Sequence, residues 1–341
     1  MAKKVTIKDL AEFTGLSPAT VSRVLNNSSL VKDATKKRVE EAMNQLGMPL
    51  AHYSEGMKDN KPIIVLNIPD IENNYYQRVI SGATVSAKAH DCHILVYESS
   101  LKNNRVYDFI DMIQNVNASG VITLNNLSAD ILHKINNVRP IVQCSEYNSD
   151  TNIPYVTINN YQSAKYATEY LLSTGRNKIA FINGPLNFRY AIERQRGFTD
   201  AMESAGLSVP QNWIVQLPKI NFDMAYASAC QLLDAEIVPN AFFTISDVIA
   251  AAVIRAAKQF KFRVPEDISV VGFDNIDISM MTTPSITTVS QPCFQIGYTA
   301  CDMLIDMISN PSSSAKTILL NTELVIREST APPSARRLNN M

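Results

Sequence analysis

Apolar residues recur at helical spacing along the N-terminal part of the chain, and the pattern predicts short helices. Ile7, Leu10 and Ala11 lie at positions i, i+3 and i+4, which form one face of a helix. Thr6, followed three residues later by Asp9, resembles a capping box, whose side chains accept hydrogen bonds from the free N–H groups of a first turn. The first helix is therefore expected to begin near Ile7.

Helix-breaking and helix-capping residues separate two further helices. Gly15 interrupts the first helix, and Ser17 can cap a second helix that has Pro18 in its first position. A third helix is expected over residues 33–46, ending at Gly47. Its buried side would carry Val39, Ala42, Met43 and Leu46. Such a set resembles a helix-turn-helix, which presents its second helix to the major groove of DNA, although the spacing equally fits an ordinary helical hairpin.

The second helix would present hydroxyl groups and a cation outward. Small hydroxyls suit hydrogen bonds to phosphates and base edges, and an arginine binds a phosphate or the edge of guanine bidentately. The candidate DNA-binding residues are Thr6, Ser17, Pro18, Ala19, Thr20, Ser22, Arg23 and Asn26. Residues 1–38 carry a net charge of +5, whereas the rest of the chain carries −6. This asymmetry indicates one module for a polyanion and another for a different ligand.

Beyond residue 60, short apolar runs alternate with amphipathic stretches. The apolar runs predict strands at 63–68, 94–97, 121–124, 141–144, 155–158, 178–182, 241–245 and 268–273. The amphipathic stretches predict helices over 76–90, 160–174, 191–205 and 247–260. Regular alternation of this kind predicts parallel sheets covered by helices on both faces, with ligands bound at the carboxyl ends of the strands.

The composition excludes several classes of protein. With 341 residues, 46% of them hydrophobic and 18% charged, the chain is expected to form two or three globular units. It has no apolar run long enough to span a bilayer and no signal peptide, so we expect a cytoplasmic protein without a membrane partner. The five cysteines include no Cys-x-x-Cys pair and indicate buried, reduced thiols rather than a zinc site or disulfides.

Enzymatic chemistry is also not expected. Neither G-x-G-x-x-G nor a P-loop motif occurs, and the chain has only 11 glycines. Its four histidines fit neither a catalytic triad nor a cluster of metal ligands. We therefore expect a protein that is not an enzyme, with no cofactor and no metal.

The literal string VTIKDLAEFTGLSPATVSRVLNN at 5–27 closely resembles the DNA-binding headpiece of the lactose-repressor (LacI) family. The resemblance extends through ISGA at 80–83, SGVITL at 119–124, KIAFINGPL at 178–186, ERQRGF at 193–198, ISVVGFDN at 268–275, ITTVSQP at 286–292 and LVIREST at 324–330. It implies an α/β protein with an N-terminal three-helix helix-turn-helix headpiece and a periplasmic-binding-protein-like core of two Rossmann-like lobes. The expected function is that of a repressor that binds a pseudo-palindromic operator as a homodimer.

The same resemblance implies the domain boundaries. They are a headpiece at 1–47, a hinge or linker at 48–60, an effector-binding and dimerisation core at 61–330, and a tail at 331–341. Within the core, the N-lobe would take about 61–159 plus 291–318, and the C-lobe about 160–290 plus 319–330. No heptad repeat follows, so a coiled-coil tetramer is not expected.

An effector is expected in the cleft between the lobes. In the family, the acid that matches Asp274 accepts hydrogen bonds from ligand hydroxyls, and the arginine that matches Arg194 donates to the same ligand. The pair could chelate vicinal hydroxyls of a sugar. Without the resemblance, a helix cap for Asp274 and a solvated helix position for Arg194 would be the favoured interpretations. The other candidates are Tyr75, Tyr76, Glu146, Phe188, Tyr190, Phe222, Ser246 and Gln291.

Several of these candidates have a second interpretation. Glu146 stands where relatives usually have an aspartate. One of Tyr75 and Tyr76 could pack in the core instead of stacking on a pyranose. Ser246 equally fits the cap of the helix at 247–260, and Gln291 a hinge residue. A nucleobase, a sugar phosphate or a phosphorylated carrier protein remains an alternative effector, and a cytoplasmic solute-binding protein remains an alternative of another class.

The linker departs from the family pattern. Residues 46–57 read LGMPLAHYSEGM, so Glu55 replaces the usual arginine, and Gly56 weakens a helix by about 1 kcal/mol relative to alanine. Met57 falls where relatives insert a leucine into the minor groove of the operator. A weaker hinge helix predicts less bending of the DNA.

Overall fold

The structure is a computed structural model, and it describes residues 7–25, 31–46, 61–101, 105–310 and 317–330. The chain divides into two compact units, Met1–Lys61 and Pro62–Met341. The predictions for Thr6, Asn26, Gly47, residues 48–60 with Met57, and residues 331–341 lie outside the described residues.

The first unit contains three helices: α1 (Ile7–Thr14), α2 (Pro18–Leu25) and α3 (Asp33–Gln45). The predicted starts at Ile7, Pro18 and residue 33 are confirmed. Gly15 has a φ of +63°, which permits the tight turn between α1 and α2 at no steric cost. The core of this unit consists of Leu10, Ala11, Val21, Val39, Ala42 and Met43. Ile7, predicted on the buried face of α1, is 39% exposed because it lies in the first turn.

The second unit contains two six-stranded sheets. The first sheet has the order β11-β5-β4-β3-β1-β2, and all of its strands are parallel. Its strands are β1 (Ile63–Ile68), β2 (His93–Glu98), β3 (Gly120–Thr123), β4 (Ile141–Cys144), β5 (Tyr155–Ile158) and β11 (Thr317–Leu320). Its helices are α4 (Asn74–Ala89), α5 (Arg105–Asn115), α6 (Ala129–Asn136) and α12 (Cys293–Ser309). We call this half the N-lobe.

The second sheet has the order β12-β10-β9-β8-β6-β7, in which only the pair β10–β12 is antiparallel. Its strands are β6 (Ile179–Asn183), β7 (Ile214–Gln216), β8 (Ala241–Thr244), β9 (Ser269–Asp274), β10 (Thr287–Ser290) and β12 (Glu323–Val325). Its helices are α7 (Asn160–Ser173), α8 (Arg189–Ser204), α9 (Phe222–Leu233), α10 (Asp247–Gln259) and the short α11 (Ile278–Met281). We call this half the C-lobe, and the chain crosses between the lobes after β5, β10 and β11.

Glycines explain two of the motifs that the sequence carries. Helices α4 and α12 cross where a Cβ on Gly82 would collide with the carbonyl oxygen of Phe294, and one on Gly297 with that of Val79. Helices α7 and α8 cross in the same way at Gly197. The glycines of ISGA and ERQRGF therefore allow backbone to pack directly on backbone.

The predicted strands are confirmed to within one residue at each end, and four further strands were missed. Three of the missed strands, β7, β11 and β12, lie at sheet edges and consist of exposed and half-buried residues. Cys230, predicted to be buried, is half-buried, and the five cysteines are free thiols. Among the described helices, none is long and apolar enough to cross a membrane.

Candidate functional site

The surface of α2 is the first candidate site. The Ser17 hydroxyl accepts a hydrogen bond from the Thr20 N–H at 3.1 Å and lies 2.8 Å from the Thr20 hydroxyl, so it caps the helix as predicted. Val21 points inward and is fully buried. Ser17, Pro18, Ala19 and Arg23 are exposed, whereas Thr20 and Ser22 are half-buried. The helix therefore keeps a polar, cationic face open to solvent.

The second candidate site is a cavity between the two lobes of the core, which we call the inner cavity. It contains about 530 Å³ of free space, part of which is open to solvent. Many of its residues follow the carboxyl ends of strands, as expected for parallel sheets. Eight of the predicted effector residues line it: Tyr75, Tyr76, Glu146, Tyr190, Arg194, Ser246, Asp274 and Gln291.

Arg194 and Asp274 meet at one wall of this cavity, and both are more than 90% buried. The Nη1 atom of Arg194 lies 3.8 Å from Oδ1 of Asp274 and donates to the carbonyl of Ile245 at 2.8 Å. Its Nε donates to Oδ1 of Asn160 at 2.9 Å, and its guanidinium lies 3.5 Å from the ring centroid of Phe273. Arg194 is thus held in one orientation by neutral groups and faces the Asp274 carboxylate at 3.8 Å, which is beyond hydrogen-bond distance.

The loop that follows β9 holds Asp274 in a strained conformation. Asp274 has a φ of +103°, which residues other than glycine rarely adopt. Gln291 donates to Asp274 Oδ1 at 2.6 Å, and the buried Asp247 accepts the N–H of Ile276 at 2.8 Å. Gly272 leaves the space that Asp247 needs, since a Cβ there would collide with Asp247 Oδ1. The Gln291 bond therefore orients the Asp274 carboxylate, and the Asp247 bond supports the loop that follows it.

Burial dominates the electrostatics of these acids. It raises the pKa of Asp274 to about 6, although Arg194 and Gln291 oppose the shift. Burial likewise lowers the pKa of Arg194 and raises that of Asp247 well above its usual value. A ligand hydroxyl that donates to the Asp274 carboxylate would replace the hydrogen bonds to water that the carboxylate loses on burial.

Glu146 makes a contact that the sequence does not reveal. It follows β4 in the N-lobe, and its carboxylate accepts the N–H groups of Arg189 at 2.7 Å and Tyr190 at 3.1 Å in the C-lobe. These are the first N–H groups of α8, whose preceding residue supplies no side-chain cap. Burial raises the pKa of Glu146 to about 7, although the two N–H groups oppose the shift. Glu146 therefore caps a helix of the opposite lobe.

Other contacts also join the lobes across the cleft. Asn126 donates to the carbonyl of Asn187 at 2.7 Å, and the guanidinium of Arg189 lies 4.1 Å from the ring centroid of Tyr147. Arg78 on α4 pairs with Asp277 of the C-lobe. The lobes are therefore closed on each other.

Aromatic rings line much of the inner cavity. The Tyr75 hydroxyl lies 2.5 Å from the Ser145 hydroxyl, and the rings of Tyr75 and Tyr76 meet edge to face at 5.4 Å. Burial raises the pKa of both phenols well above the usual value. Tyr190 lines the cavity from α8, and its ring centroid lies 5.1 Å from Cζ of Arg194. The wall thus offers apolar ring surface beside charged groups.

Two predicted residues lie outside the inner cavity. Phe188 stacks on Tyr190 at 5.4 Å and lines an adjoining cavity. Phe222 begins α9 and stacks on Tyr226 one turn later at 6.5 Å, so it lines neither cavity. The prediction that Phe222 lines the effector cavity is therefore not supported, although the residue lies at the start of a helix near the cleft face. The Ser246 hydroxyl accepts the Ile249 N–H, as the capping interpretation predicts, and the residue also lines the cavity.

Several polar residues of the site were missed, and three of them support the predicted residues or the loop that carries Asp274. Asn160 bonds Arg194, Ser145 bonds Tyr75, and Asp247 supports the loop after β9. Asn160 and Ser145 each follow closely after a predicted strand, a position that could have marked them. Among the described residues, no group of three or more His, Cys, Asp and Glu side chains is placed to hold a metal.

Comparisons with known proteins agree with this arrangement. Residues 6–48 match the bacterial regulatory proteins of the lacI family, and residues 168–330 match a periplasmic binding protein-like domain. The transcriptional repressor CytR of Escherichia coli (strain K12) is 32% identical over 95% of this chain and 96% of its own length.

Solved structures extend the comparison to the fold. The complex of the transcriptional regulator CelR with cellobiose has a TM-score of 0.71 at 26% identity, covering 96% of this chain and 100% of its own. The lac repressor dimer bound to operator and the anti-inducer ONPF has a TM-score of 0.71 at 24% identity, covering 97% and 100%, and shows the same fold. On the strength of the full-length match to a repressor and the headpiece match, this chain belongs to the LacI family of bacterial transcriptional regulators.

Proposed function

We propose that the protein is a repressor that binds a pseudo-palindromic operator as a homodimer and releases or tightens it when a sugar occupies the inner cavity. Residues 1–47 form the DNA-binding headpiece in this proposal, and 61–330 the effector-binding core. Operator binding confines its action to the cytoplasm. The relatives are regulators, which supports binding rather than catalysis as the activity.

The DNA-binding part of the proposal rests on α2. Its exposed face carries Ser17, Ala19 and Arg23 beside half-buried hydroxyls, which suits contacts to phosphates and base edges. One helix-turn-helix buries little surface, and a two-fold dimer doubles the contacts on a palindromic site. The lac repressor structure, a dimer on its operator, supports this arrangement by its shared fold.

The observation that carries the effector proposal is the buried pair of Arg194 and Asp274. A guanidinium with fixed direction and a carboxylate held by Gln291 provide donors and an acceptor side by side, which matches neighbouring sugar hydroxyls. Tyr75, Tyr76 and Tyr190 add aromatic surface for the apolar face of a pyranose. The bound cellobiose of the CelR complex supports a sugar in this fold.

The test is a thermal-shift screen of the full-length protein followed by calorimetry on variants. Monosaccharides, disaccharides, sugar phosphates and nucleobases are screened, because a ligand at 100 times its Kd stabilises by about 2.7 kcal/mol. We expect a sugar to stabilise the protein. Arg194→Lys and Asp274→Asn should each weaken that ligand at least tenfold and abolish its effect on operator affinity, without changing operator binding in its absence.

Asp267→Asn is the matched control, because the half-buried Asp267 pairs with Arg263 at 2.8 Å and does not line the cavity. It should leave the ligand affinity unchanged. Stabilisation by nucleobases or sugar phosphates alone would refute the sugar. Ligand affinity equal to wild type in both cavity variants would remove Arg194 and Asp274 from the site.

A further inference from the structure

The loop after β9 begins with two consecutive residues of positive φ. Asp274 has a φ of +103° and Asn275 a φ of +56°, and neither is a glycine. Residues with side chains keep such conformations only where the surrounding contacts enforce them. The first of the two carries the carboxylate that faces Arg194 in the inner cavity. The direction of that carboxylate therefore depends on what holds the loop.

Arg327 holds this loop from outside the inner cavity. It is half-buried, lies two residues after the end of β12, and does not line the cavity. Its Nη2 donates to Oδ1 of Asn275 at 2.7 Å, and its Nη1 donates to the Ser279 hydroxyl at 3.1 Å and to the carbonyl of Ile286 at 2.8 Å. The planar guanidinium thus joins both ends of the segment 275–279 to the residue that precedes β10.

The backbone of Arg327 is itself fixed on the sheet. Its N–H donates to Oγ1 of Thr287 at 2.8 Å, and the same hydroxyl donates to the Arg327 carbonyl at 3.2 Å. Thr287 is buried in β10, which pairs with β9. Arg327 is therefore anchored on the strand next to the one that ends in Asp274.

Other bonds hold the loop from within the C-lobe. The Asn275 amide nitrogen donates to the Ser290 hydroxyl at 3.0 Å, so this side chain is held at both ends of its amide. Asp247 accepts the N–H of the next residue, Ile276. Only the Arg327 bonds, however, reach the amide oxygen of Asn275 and the Ser279 hydroxyl from the closing segment of the lobe.

We propose that Arg327 is a positioning residue for the effector site, which keeps the Asp274 carboxylate directed into the inner cavity by holding Asn275 and Ser279. Without the Arg327 bonds, the loop relaxes toward negative φ and the carboxylate turns toward solvent. The motif LVIREST at 324–330 then acts in ligand binding although it does not line the cavity. This inference rests on the proposed effector site and adds a residue to it.

The pH dependence of stability reports the position of Asp274 without any ligand. Burial raises the pKa of Asp274 from 3.8 to about 6, so its contribution to stability is complete in acid and is lost as the pH rises through about 6. Between about pH 4 and pH 7, the unfolding midpoint of full-length wild type should fall by roughly 4–8 °C more than that of Asp274→Asn. A carboxylate that has turned toward solvent has its ordinary pKa, and Asp274→Asn then leaves the pH dependence unchanged.

The comparison with and without Asp274→Asn isolates this one carboxyl. The charged and titratable groups that face it are Arg194 and Tyr190 of α8, Asp247 of α10, Tyr75 and Tyr76 of α4, and Cys293 of α12. All of them are present in every variant, so their own titrations largely cancel in the difference.

Arg327→Gln and Arg327→Lys separate the effect of the bonds from that of the charge. Lysine keeps the positive charge, which favours the ionised form of Asp247, but it lacks the planar fork of donors. In both backgrounds, adding Asp274→Asn should change the fall in midpoint by less than about 2 °C. Glu328→Gln is the matched control, because Glu328 is the next residue and bonds Ser285 instead of the loop. In that background, Asp274→Asn should keep its full effect.

Asn275→Ala breaks the same connection from the loop and leaves Arg327 in place, so it provides the test if the Arg327 variants do not fold. It should also remove the effect of Asp274→Asn. Calorimetry with glucose, galactose, ribose and cellobiose adds the ligand. The sugar that binds wild type most tightly should bind Arg327→Lys about tenfold more weakly.

The outcomes separate this proposal from the sugar effector. A full Asp274→Asn effect in Arg327→Lys, or an unchanged sugar affinity of that variant, overturns the positioning role. So does a wild type whose pH dependence is unaffected by Asp274→Asn, because its carboxylate is then not held in the buried position. If none of the four sugars binds wild type while the Asp274→Asn effect disappears in both Arg327 variants, the sugar effector is wrong and the positioning of Asp274 stands.

Discussion

Replacing Glu146 with glutamine should change how the stability of the core depends on pH. The folded pKa of Glu146 is raised from 4.5 to about 7 by burial. An acid with a raised pKa contributes stability that is complete below its unfolded pKa and is lost as the pH rises through its folded pKa. Wild type should therefore lose stability between about pH 4.5 and pH 7, and Glu146→Gln, which has no proton to release, should lose less.

The size of the effect follows from these two values. For one carboxyl with pKa values of 4.5 and about 7, the free energy of unfolding falls by about 2 kcal/mol between roughly pH 5.5 and pH 8. Glutamine can accept only one of the N–H groups of Arg189 and Tyr190, which costs about 1 kcal/mol at every pH. The variant should consequently be less stable than wild type in acid and equal to it or more stable at about pH 8.

Differential scanning fluorimetry of the full-length protein measures the effect as a difference in unfolding midpoint between wild type and variant. Since about 1 kcal/mol corresponds to roughly 2–4 °C in large domains, the difference should move by about 4–8 °C over this pH range. Asp274 and Asp247 are present in both proteins, so their contributions to the pH dependence largely cancel in the difference. Glu203 is an exposed acid on the same helix, and the curve of unfolding midpoint against pH for Glu203→Gln should run parallel to that of wild type. Parallel curves for wild type and Glu146→Gln would show that the carboxyl does not titrate as argued.

Two further predictions concern the helix crossing of the N-lobe and the DNA-binding helix. Gly297→Ala should lower the free energy of unfolding of the core by about 1–3 kcal/mol, because the added methyl group collides with the Val79 backbone. Urea unfolding measures this loss, with the exposed Ser309→Ala variant as the control. A free energy of unfolding unchanged within error would mean that the two helices can move apart without cost. If Arg23 binds guanine, Arg23→Ala should weaken operator binding by about 1–3 kcal/mol per half-site, and if Arg23 binds a phosphate, the variant should weaken binding to all duplexes alike. Fluorescence anisotropy with selected and random duplexes distinguishes the two. Unchanged affinity for both kinds of duplex would exclude Arg23 from the interface.

The predictability of the fold varied with burial. Seven of the eight predicted strands are largely apolar because central parallel strands are buried on both faces, whereas the edge strand β2 has only exposed and half-buried residues and was predicted from its short apolar run. Edge strands such as β7 and β12 are half-exposed and only three residues long, so their pattern does not stand out. β10 was missed for another reason: Thr287 and Thr288 are buried polar residues whose hydroxyls find partners only in the folded chain, on Thr330 and Asp247.

The site was predictable where a motif carries it and not where distant segments meet. Arg194 and Asp274 came from family motifs and lie together as expected. Asp247 reads in the sequence as an ordinary acid in a first helical turn, and its bond to Ile276 becomes visible only once α10 packs beside β9. Phe222 shows the reverse error, since its position along the chain does not determine which way its ring points.

Glu146 and the proposed ligand act on the same helix. The N-lobe carboxylate binds the first N–H groups of α8, while Arg194, near the second turn of α8, faces Asp274 in the cavity. Because a helix moves as a rigid element, any movement of α8 away from the N-lobe both breaks the cap by Glu146 and displaces Arg194. A ligand that bridges Arg194 and the N-lobe aromatics therefore stabilises the position of α8 in which Glu146 is also bound. By reciprocity, protonation or replacement of Glu146 must change ligand affinity through the position of α8, in addition to any contact that Glu146 makes from the cavity wall.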